Sequence, residues 1–330
     1  MKTDKVLVTG ATGLLGANIV KELNNRGYKV KILTRPASKL NGLEGCNYEI
    51  IKGDITNKTG LEEAIKGCQY VIHAAAKTAQ GSNRMEQYMK VNVEATQNLL
   101  KLSEKHHIKR FVYVSTANCF TNGTLNNPGT EEKGFMPWLK HSSYAYSKFL
   151  AQQSVLQMAK NKGPDALVVA PTFLIGPRDS KPSSGKLLLY ALRNKIVFYP
   201  PGGKSFTDVE FAAQAIVNAL TMGKNGESYL IAGKNMTYKD FFEAVSRVTG
   251  EKRILIPLPR TIINILANTL EITGKIFGFS PQLNKANAKL LTLDNYFSNK
   301  KAAEELKLKE TDIEEAIKKA ADWFEQHNMI

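Results

Sequence analysis

The first half of the chain alternates short apolar runs with longer amphipathic stretches. The short runs predict buried strands, and apolar residues three or four positions apart predict helices. The predicted strands are Val6–Val8, Lys29–Thr34, Tyr48–Lys52, Tyr70–His73, Phe111–Ser115 and Ala166–Ala170. The predicted helices are Leu14–Arg26, Thr59–Lys66, about Tyr88–Lys105 and about Tyr144–Lys160. This alternation predicts an α/β protein with a doubly wound parallel sheet and helices on both faces.

The pattern changes after Ala170, where segments rich in Pro, Gly and Ser interrupt shorter helices. The helix–strand pair Ala212–Met222 and Ser228–Ile231 is expected to return to the sheet. The stretch Arg260–Leu291 is mostly helical in its pattern and fairly apolar. We expect its apolar face to pack on the domain or line a pocket, a helix on a membrane surface being the alternative. That face consists of Ile262, Ile263, Ile265, Leu266 and Leu270.

Composition and charge narrow the classes of partner. The chain has 330 residues, 43% hydrophobic and 23% charged, as expected for a soluble globular protein. Its net charge of +15 comes from basic residues spread along the chain without interleaved aromatics, so we predict no nucleic-acid partner. No run of 18 apolar residues is present, so no membrane span is predicted. Three scattered cysteines indicate reduced thiols, a cytoplasmic setting and no metal site.

Three glycines lie between the first predicted strand and the first predicted helix, in the segment TGATGLLG at residues 9–16. A glycine-rich turn in this context lets the backbone approach a pyrophosphate, which the N–H groups and positive dipole of the helix N-terminus then bind. The sequence therefore predicts a Rossmann-type dinucleotide site. Its turn residues are Gly10, Thr12, Gly13, Leu14, Leu15 and Gly16.

The end of the second predicted strand bears on the choice of dinucleotide. An NAD site needs an acidic residue there for the ribose hydroxyls, whereas this chain has Thr34 followed by Arg35. Arg35 can pair with a 2′-phosphate, and Ser38 or Lys39 can add to that contact. The alternative is a plain exposed arginine at a strand end. We therefore favour NADP(H), with NAD(H) left open.

A tyrosine and a lysine four residues apart begin a predicted helix. Residues at that spacing share a helix face, so Tyr144 and Lys148 can converge on one spot. A nearby cation lowers the pKa of a tyrosine toward the range useful for acid–base catalysis. Ser115 and Thr116 follow a buried strand and face the same crevice at the carboxyl edge of the sheet. These residues predict a catalytic site.

With these motifs, the sequence resembles the extended short-chain dehydrogenase/reductases along its whole length. Residues 9–16 match the family's TGxxGxxG turn, residues 73–76 its H-x-A-A stretch, and residues 171–177 its RPxxVYGP segment. Two of that segment's usual residues are replaced, by Ala170 and Ile175, and Ser205–Ala213 echoes FxxVDDVA without its second acid. The remaining matches are Gly53-Asp54-Ile55, Asn92-Val93 with Thr96, Val114-Ser115-Thr116, and Tyr144 with Lys148.

The resemblance implies roles for these positions. Tyr144 would donate or remove the proton at the substrate oxygen, Lys148 would hold the nicotinamide ribose and tune Tyr144, and Thr116 would orient the substrate oxygen. Further cofactor contacts are implied at Asp54, Ile55, Ala74, Ala75, Ala76, Asn92, Ser115, Pro171, Thr172 and Phe173, together with Tyr144 and Lys148.

Three branches of the family compete. The 4,6-dehydratases carry Asp-Glu after the catalytic Thr, where this chain has Ala117-Asn118. Nucleotide-sugar epimerases favour NAD, which Arg35 opposes, and Lys204 only partly matches their phosphate-binding arginine. The dihydroflavonol-4-reductase-like and 3β-hydroxysteroid-dehydrogenase-like branch has an arginine after the second strand and an apolar C-terminal region, which here begins at Ile256.

We therefore predict an NADP(H)-dependent oxidoreductase that reversibly reduces a carbonyl to an alcohol on a fairly apolar small molecule. An NAD-dependent nucleotide-sugar epimerase and a non-catalytic dinucleotide-binding regulator are the alternatives. Residues 1–170 plus about 207–233 are expected to form the Rossmann domain. Residues 171–206 plus 234–330 are expected to form a smaller, mostly helical substrate-binding region. A homodimer through the helices around Asn92 and Tyr144 is compatible with the resemblance.

Overall fold

The computed structural model describes residues 4–78, 85–161, 163–277, 281, 283–309 and 312–330. Its strands are β1 (Lys5–Thr9), β2 (Lys29–Thr34), β3 (Glu49–Lys52), β4 (Tyr70–His73), β5 (Arg110–Val114), β6 (Ala166–Pro171), β7 (Phe173–Ile175), β8 (Ile196–Tyr199), β9 (Gly203–Asp208), β10 (Ser228–Ile231), β11 (Lys234–Thr237), β12 (Ile254–Pro257) and β13 (Asp294–Asn295). Its α-helices are α1 (Leu14–Asn25), α2 (Lys58–Ile65), α3 (Met85–Tyr88), α4 (Ala95–Lys105), α5 (Ser143–Lys160), α6 (Gly185–Arg193), α7 (Val209–Asn218), α8 (Tyr238–Thr249), α9 (Arg260–Phe277), α10 (Lys285–Leu291), α11 (Lys300–Glu305) and α12 (Ile313–Gln326).

The central sheet is parallel throughout and carries the predicted strands. Within the described residues it has seven strands, in the order β10-β6-β5-β4-β1-β2-β3. Strand β10 pairs with β6, so the predicted return of the chain to the sheet is confirmed. The strand order reverses between β1 and β4, and the carboxyl ends of these strands open a crevice where such folds bind ligands. The predicted Rossmann-type α/β fold is therefore confirmed.

Helices cover both faces of this sheet, which explains why most positions of its strands are apolar and buried. On β1, Val6 and Val8 point to one face, where they join a core that includes residues of α1 and α7. Leu7, between them, points to the other face and packs with residues of α2, α4 and α5. All three side chains are fully buried, so alternate positions of one strand contribute to two cores.

The helix predicted over about Tyr88–Lys105 is divided in the structure. Helix α3 passes into a π-helical segment, Met89–Glu94, before α4 begins at Ala95. A π-helical turn accommodates an extra residue per turn and often occurs at functional positions. The π-helical segment contains Asn92, whose side chain forms hydrogen bonds to residues outside its own helix.

Small sheets occur in the region predicted to be mostly helical. Strand β9 pairs with β7, β11 and β13, and β8 pairs with β12 in a separate parallel ribbon. A third core, rich in phenylalanine, lies beneath them and joins β9 to α8 and α12. Helix α7 begins at Val209, earlier than predicted, because the Asp208 carboxylate accepts a hydrogen bond from the Glu210 N–H and caps it.

The apolar stretch of α9 departs from the expected packing. Ile263 is buried, but Ile262, Ile265, Leu266 and Leu270 are exposed by 44, 63, 49 and 37%. The expectation that this face packs on the domain is therefore wrong for four of its five residues, because the described chain covers only one side of α9. No helix among the described residues is long and apolar enough to cross a bilayer.

Candidate active site

Of the three glycines in the turn after β1, two have no room for a Cβ and one has room. Gly10 has a φ of +75°, and a Cβ there would lie 2.6 Å from the backbone nitrogen of Ala75. A Cβ at Gly16 would overlap the carbonyl oxygen of Gly10. At Gly13 the nearest described atom to such a Cβ is 3.6 Å away, and the residue is exposed. The turn is therefore tight on the protein side and open on the solvent side.

The open side of the turn coincides with the N-terminus of α1. Gly13 is the N-cap residue, and no side chain among the described residues caps this helix. Leu14 is buried, Thr12 and Leu15 are half-buried, and the first-turn N–H groups face the open side. An uncapped helix N-terminus beside an open glycine fits an anionic group, so the predicted turn residues fit the pyrophosphate of a dinucleotide.

The residues expected to select the dinucleotide lie at the ends of β2 and β3. Thr34 is buried, whereas Arg35 and Lys39 are exposed. The Asp54 carboxylate accepts hydrogen bonds from the backbone N–H and the hydroxyl of Thr56, at 2.9 and 2.7 Å. These bonds, and then the charge of nearby Arg35, lower the pKa of Asp54. Arg35 therefore adjoins Asp54 at the edge where the adenosine half would lie.

A buried chain of hydrogen bonds connects the glycine turn to the π-helical segment. His73 is 1% exposed, and its Nδ1 and Nε2 lie 2.6 and 2.9 Å from the hydroxyls of Thr9 and Thr96. The Thr96 hydroxyl donates to the carbonyl oxygen of Asn92, so its oxygen accepts from His73 Nε2–H. The Thr9 hydroxyl then donates to Nδ1 while accepting from the backbone N–H of Ala75. A neutral imidazole satisfies both partners.

This imidazole makes stability depend on pH. Burial lowers the pKa of His73 from 6.5 to about 3, so the folded protein stays unprotonated there while the unfolded chain takes up a proton below about 6.5. The contribution of His73 is therefore complete above pH 6.5 and declines as the pH falls toward 3. We expect the wild type to lose about 1.4 kcal/mol more per pH unit than His73→Gln between pH 6 and 4, measured by urea unfolding. Equal slopes for the two proteins would contradict this assignment.

Asn92 extends the network to α5, the helix that carries the predicted catalytic residues Tyr144 and Lys148. Its carboxamide oxygen accepts from the backbone N–H of Lys77 at 2.7 Å, and its nitrogen donates to the Ser147 hydroxyl at 2.8 Å. The Ser147 hydroxyl donates in turn to the carbonyl oxygen of Tyr144. Asn92 therefore fixes the start of α5 relative to the segment that follows β4. Its amide makes three protein hydrogen bonds, the third from its nitrogen to the Lys77 carbonyl oxygen.

The predicted catalytic residues lie together at the carboxyl edge of the sheet. Thr116 follows β5, and its side chain lies near the Tyr144 phenol. Tyr144 lies in the first turn of α5, which the Ser142 hydroxyl caps by accepting from the Ala145 N–H. Burial raises the pKa of Tyr144 to about 12, and the nearby Thr116 side chain opposes that increase. The phenol therefore keeps its proton at neutral pH.

Lys148 is directed toward the end of β5. Its ammonium donates to the carbonyl oxygen of Val114 at 2.6 Å and lies 4.1 Å from the centre of the Tyr113 ring. Burial lowers the pKa of Lys148 to about 7. The lowering of the pKa of Tyr144 by this lysine stays a prediction.

The other predicted cofactor contacts surround the same edge. The Ser115 hydroxyl donates into the core, to Gln152 at 2.6 Å, so a cofactor contact at this position would use its backbone. The Thr172 hydroxyl lies 2.6 Å from that of Thr207, and Phe173 packs edge-on against Phe206. Four further predicted contacts are half-buried along the crevice: Ile55, Ala74, Ala75 and Ala76. Pro171 ends β6 beside them.

Lys204 is a cation that lacks an acidic partner in the described part of the chain. Its ammonium lies 5.4 Å from the ring centre of Phe173 and 5.9 Å from that of Tyr238. Burial lowers the pKa of this lysine to about 8. The sequence marked Lys204 only as a partial match to an epimerase arginine. Its ammonium therefore lies beside Phe173, one of the predicted cofactor contacts.

Two more contributors were not predicted as site residues. His73 and Ser147 connect the glycine turn to α5, although neither faces the open crevice. The signal for His73 was present, since it ends a buried strand and begins the H-x-A-A stretch, but Ser147 carried no local signal. No cluster that could hold a metal ion occurs among the described residues.

Comparison with known proteins identifies the family. Residues 6–232 match the NAD dependent epimerase/dehydratase family. The chain is 28% identical to a putative dihydroflavonol 4-reductase of Synechocystis, covering 99% of this chain and 96% of the relative. It is 26% identical to sterol demethylase protein B of Methylococcus capsulatus, covering 98 and 99% of the two chains. The crystal structure of gox2253 has a TM-score of 0.83 at 29% identity, covering 99% of this chain and all of that one.

The family match spans the central sheet from β1 to β10 and therefore includes the glycine turn, Thr116, Tyr144 and Lys148. The relatives and gox2253 extend the similarity through the C-terminal region. Both observations agree with the resemblance drawn from the motifs. The chain belongs to the NAD dependent epimerase/dehydratase family, the extended short-chain dehydrogenase/reductases, whose members are NAD(P)-dependent enzymes.

Proposed function

We propose that this protein is an NADP(H)-dependent oxidoreductase that reversibly reduces a carbonyl to an alcohol on a fairly apolar small molecule. The observation that carries the proposal is the closeness of the Thr116 side chain to the Tyr144 phenol, with Lys148 one turn further along α5. An acid and a hydroxyl donor are thereby directed at one position beside the dinucleotide turn. The names of the relatives, a reductase and a sterol demethylase protein, support an apolar substrate.

In this mechanism the bound dinucleotide supplies or accepts the hydride. Thr116 holds the substrate oxygen and Tyr144 donates the proton to it as the carbonyl is reduced. The raised pKa of Tyr144 keeps the phenol protonated for that step. In the reverse direction the phenolate must form first, and the nearby Lys148 ammonium stabilises it if the Val114 hydrogen bond is exchanged.

The NADP(H) preference can be tested at Arg35. Arg35→Ala should weaken NADPH binding about 10- to 100-fold and leave NADH binding unchanged, because only NADPH carries the 2′-phosphate that the guanidinium would contact. Isothermal titration with each dinucleotide measures both affinities. Lys29→Ala is the matched control, since it removes an exposed charge from the opposite end of β2. A parallel loss for NADPH and NADH would contradict the assignment.

An NAD-dependent nucleotide-sugar epimerase is the second candidate, and Lys204 favours it. An ammonium without an acidic partner in the described chain, near Phe173, suits an anionic substrate group. Native mass spectrometry of the purified protein separates the two. An epimerase regenerates its cofactor and retains NAD, whereas a reductase exchanges NADP(H) in every turnover. Retained NAD would therefore replace the reductase proposal.

The regions of the chain have separate proposed roles. We assign residues 1–170 and about 207–233 to dinucleotide binding, and residues 171–206 and 234–330 to substrate binding. A homodimer through α4 and α5 and a cytoplasmic location also remain proposals. Supporting the location, Cys46, Cys68 and Cys119 are all free thiols.

A further inference from the structure

Helix α9 has an apolar face that the described residues leave uncovered. Ile263 and Ala267 point inward and pack against Ala288 of α10, with exposures of 3 and 1%. Elsewhere on the helix Ile265 is 63% exposed and Phe277 is 75% exposed. We call the exposed set the α9 apolar face; it consists of Ile262, Ile265, Leu266, Leu270, Ile272 and Phe277.

Helical geometry places this set on one side. At about 100° per residue, the six side chains fall within one arc of about 160°. Asn264 and Glu271 fall on the opposite side, and Asn268 lies just outside the edge of the apolar arc. Thr269 and Thr273 lie within the apolar arc, but their hydroxyls donate to the carbonyl oxygens of Ile265 and Thr269, each at 3.0 Å. The face therefore presents no side-chain hydroxyl that needs water.

A second apolar surface leads directly into α9. In the ribbon of β8 and β12, Ile196 pairs with Ile254 and Phe198 pairs with Ile256. All four side chains are on the same exposed face of the ribbon, while Val197, which lies between Ile196 and Phe198 along β8, is buried. Strand β12 ends at Pro257, three residues before α9 begins, so the exposed apolar character continues along the chain.

We propose that the α9 apolar face docks on an anionic phospholipid bilayer, with α9 lying in the plane of the interface. The charge of the protein selects this occupant. The whole chain carries +15, and residues 251–291 contain six basic and two acidic residues. Arg260, Lys285 and Lys289 are exposed on α9 and α10. Anionic headgroups attract such a surface while the apolar side chains enter the acyl boundary.

The same charges disfavour a second copy of this chain as the occupant. A two-fold contact through α9 would bring together two equal surfaces of the same net positive charge. Two molecules that each carry +15 also repel each other as they approach. An anionic bilayer meets the same surface with the opposite charge.

The docking surface lies near the proposed catalytic helix. Helix α9 packs on α10, and the Lys289 ammonium of α10 lies 4.4 Å from the ring centre of Trp138. Leu290 of α10 joins the cluster of Met136 and Leu139 in the segment that leads into α5. Two layers of packing thus separate a bilayer-bound α9 from the start of the helix that carries Tyr144.

Vesicle flotation tests the proposal without measuring turnover, so its result is independent of the proposed reaction. The full chain is mixed with vesicles of equal parts phosphatidylglycerol and phosphatidylcholine, or of phosphatidylcholine alone, at low salt. We expect binding to the anionic vesicles that weakens as salt is added. Ile265→Glu should weaken this binding at least about tenfold, because it introduces a carboxylate into the interface.

Asn264→Glu is the matched control, since it adds the same charge to an exposed position on the opposite side of the same helix. Thermal unfolding of both variants should match the wild type, because neither side chain is buried. Absence of binding to anionic vesicles, or equal losses in the two variants, would overturn the proposal. So would a dimer, seen by sedimentation, that Ile265→Glu dissociates, because the face would then be an interface between copies.

Discussion

Tyr144→Phe is expected to reduce kcat by about 10²–10⁴-fold, the usual contribution of a general acid, while dinucleotide affinity stays within about twofold of the wild type. The substitution removes only the hydroxyl, which lies near the Thr116 side chain, and leaves the ring in place. Steady-state reduction of a panel of apolar ketones and aldehydes, with dinucleotide titration alongside, measures both quantities. The same experiment separates an enzyme from the non-catalytic regulator, since a regulator would lose nothing.

Tyr146→Phe provides the control for this variant. Tyr146 lies on the same helix two residues later, which turns it about 200° away from Tyr144, and its ring packs near Phe135 at 6.1 Å. It should keep wild-type kcat and stability. Unchanged kcat in Tyr144→Phe, with a substrate that the wild type reduces, would remove Tyr144 from its proposed role and leave the reaction without its acid.

Much of the fold follows from patterns that a sequence displays directly. Strand β4 is buried on both faces, so its run is apolar up to His73 without alternation, and the predicted bounds of β4 and β2 match those observed. The turn at Gly10 and Gly16 could be predicted because close backbone approach excludes any side chain there. These features depend on local geometry, and local geometry is what a single sequence encodes most strongly.

The parts that escaped prediction depend on contacts between distant segments. The π-helical turn at Asn92 exists because its carboxamide bonds to Lys77 and Ser147, neither of which is a neighbour on its own helix. The Lys148 ammonium bonds to Val114, 34 residues away, and a spacing rule for α5 cannot reveal that choice. The ribbon of β8 and β12 is also set by tertiary pairing, because each strand is only four residues long.

A second large effect, on stability, is expected from substitutions in the glycine turn, where two neighbouring glycines are each replaced by alanine. Gly16→Ala should lower the free energy of unfolding by about 3 kcal/mol or more, because its Cβ would overlap the Gly10 carbonyl oxygen and force α1 away from the turn. Gly13→Ala should leave stability unchanged or slightly increased, since Gly13 has a φ of −89° and its Cβ would meet open space. Urea unfolding of both proteins measures this difference.

Gly13→Ala, the variant that is expected to keep its stability, is also expected to lose dinucleotide affinity. In Gly13→Ala the new methyl group would project over the uncapped N-terminus of α1, where the pyrophosphate is proposed to bind. We expect its affinity for NADPH and NADH to fall at least about tenfold in a protein that is fully folded, which corresponds to about 1.4 kcal/mol. If Gly13→Ala bound both dinucleotides as tightly as the wild type, the open side of this turn would not be the phosphate site. The family's motif would then be present in this chain without its usual ligand contact, and the assignments of Arg35 and Lys148 that depend on it would fail as well.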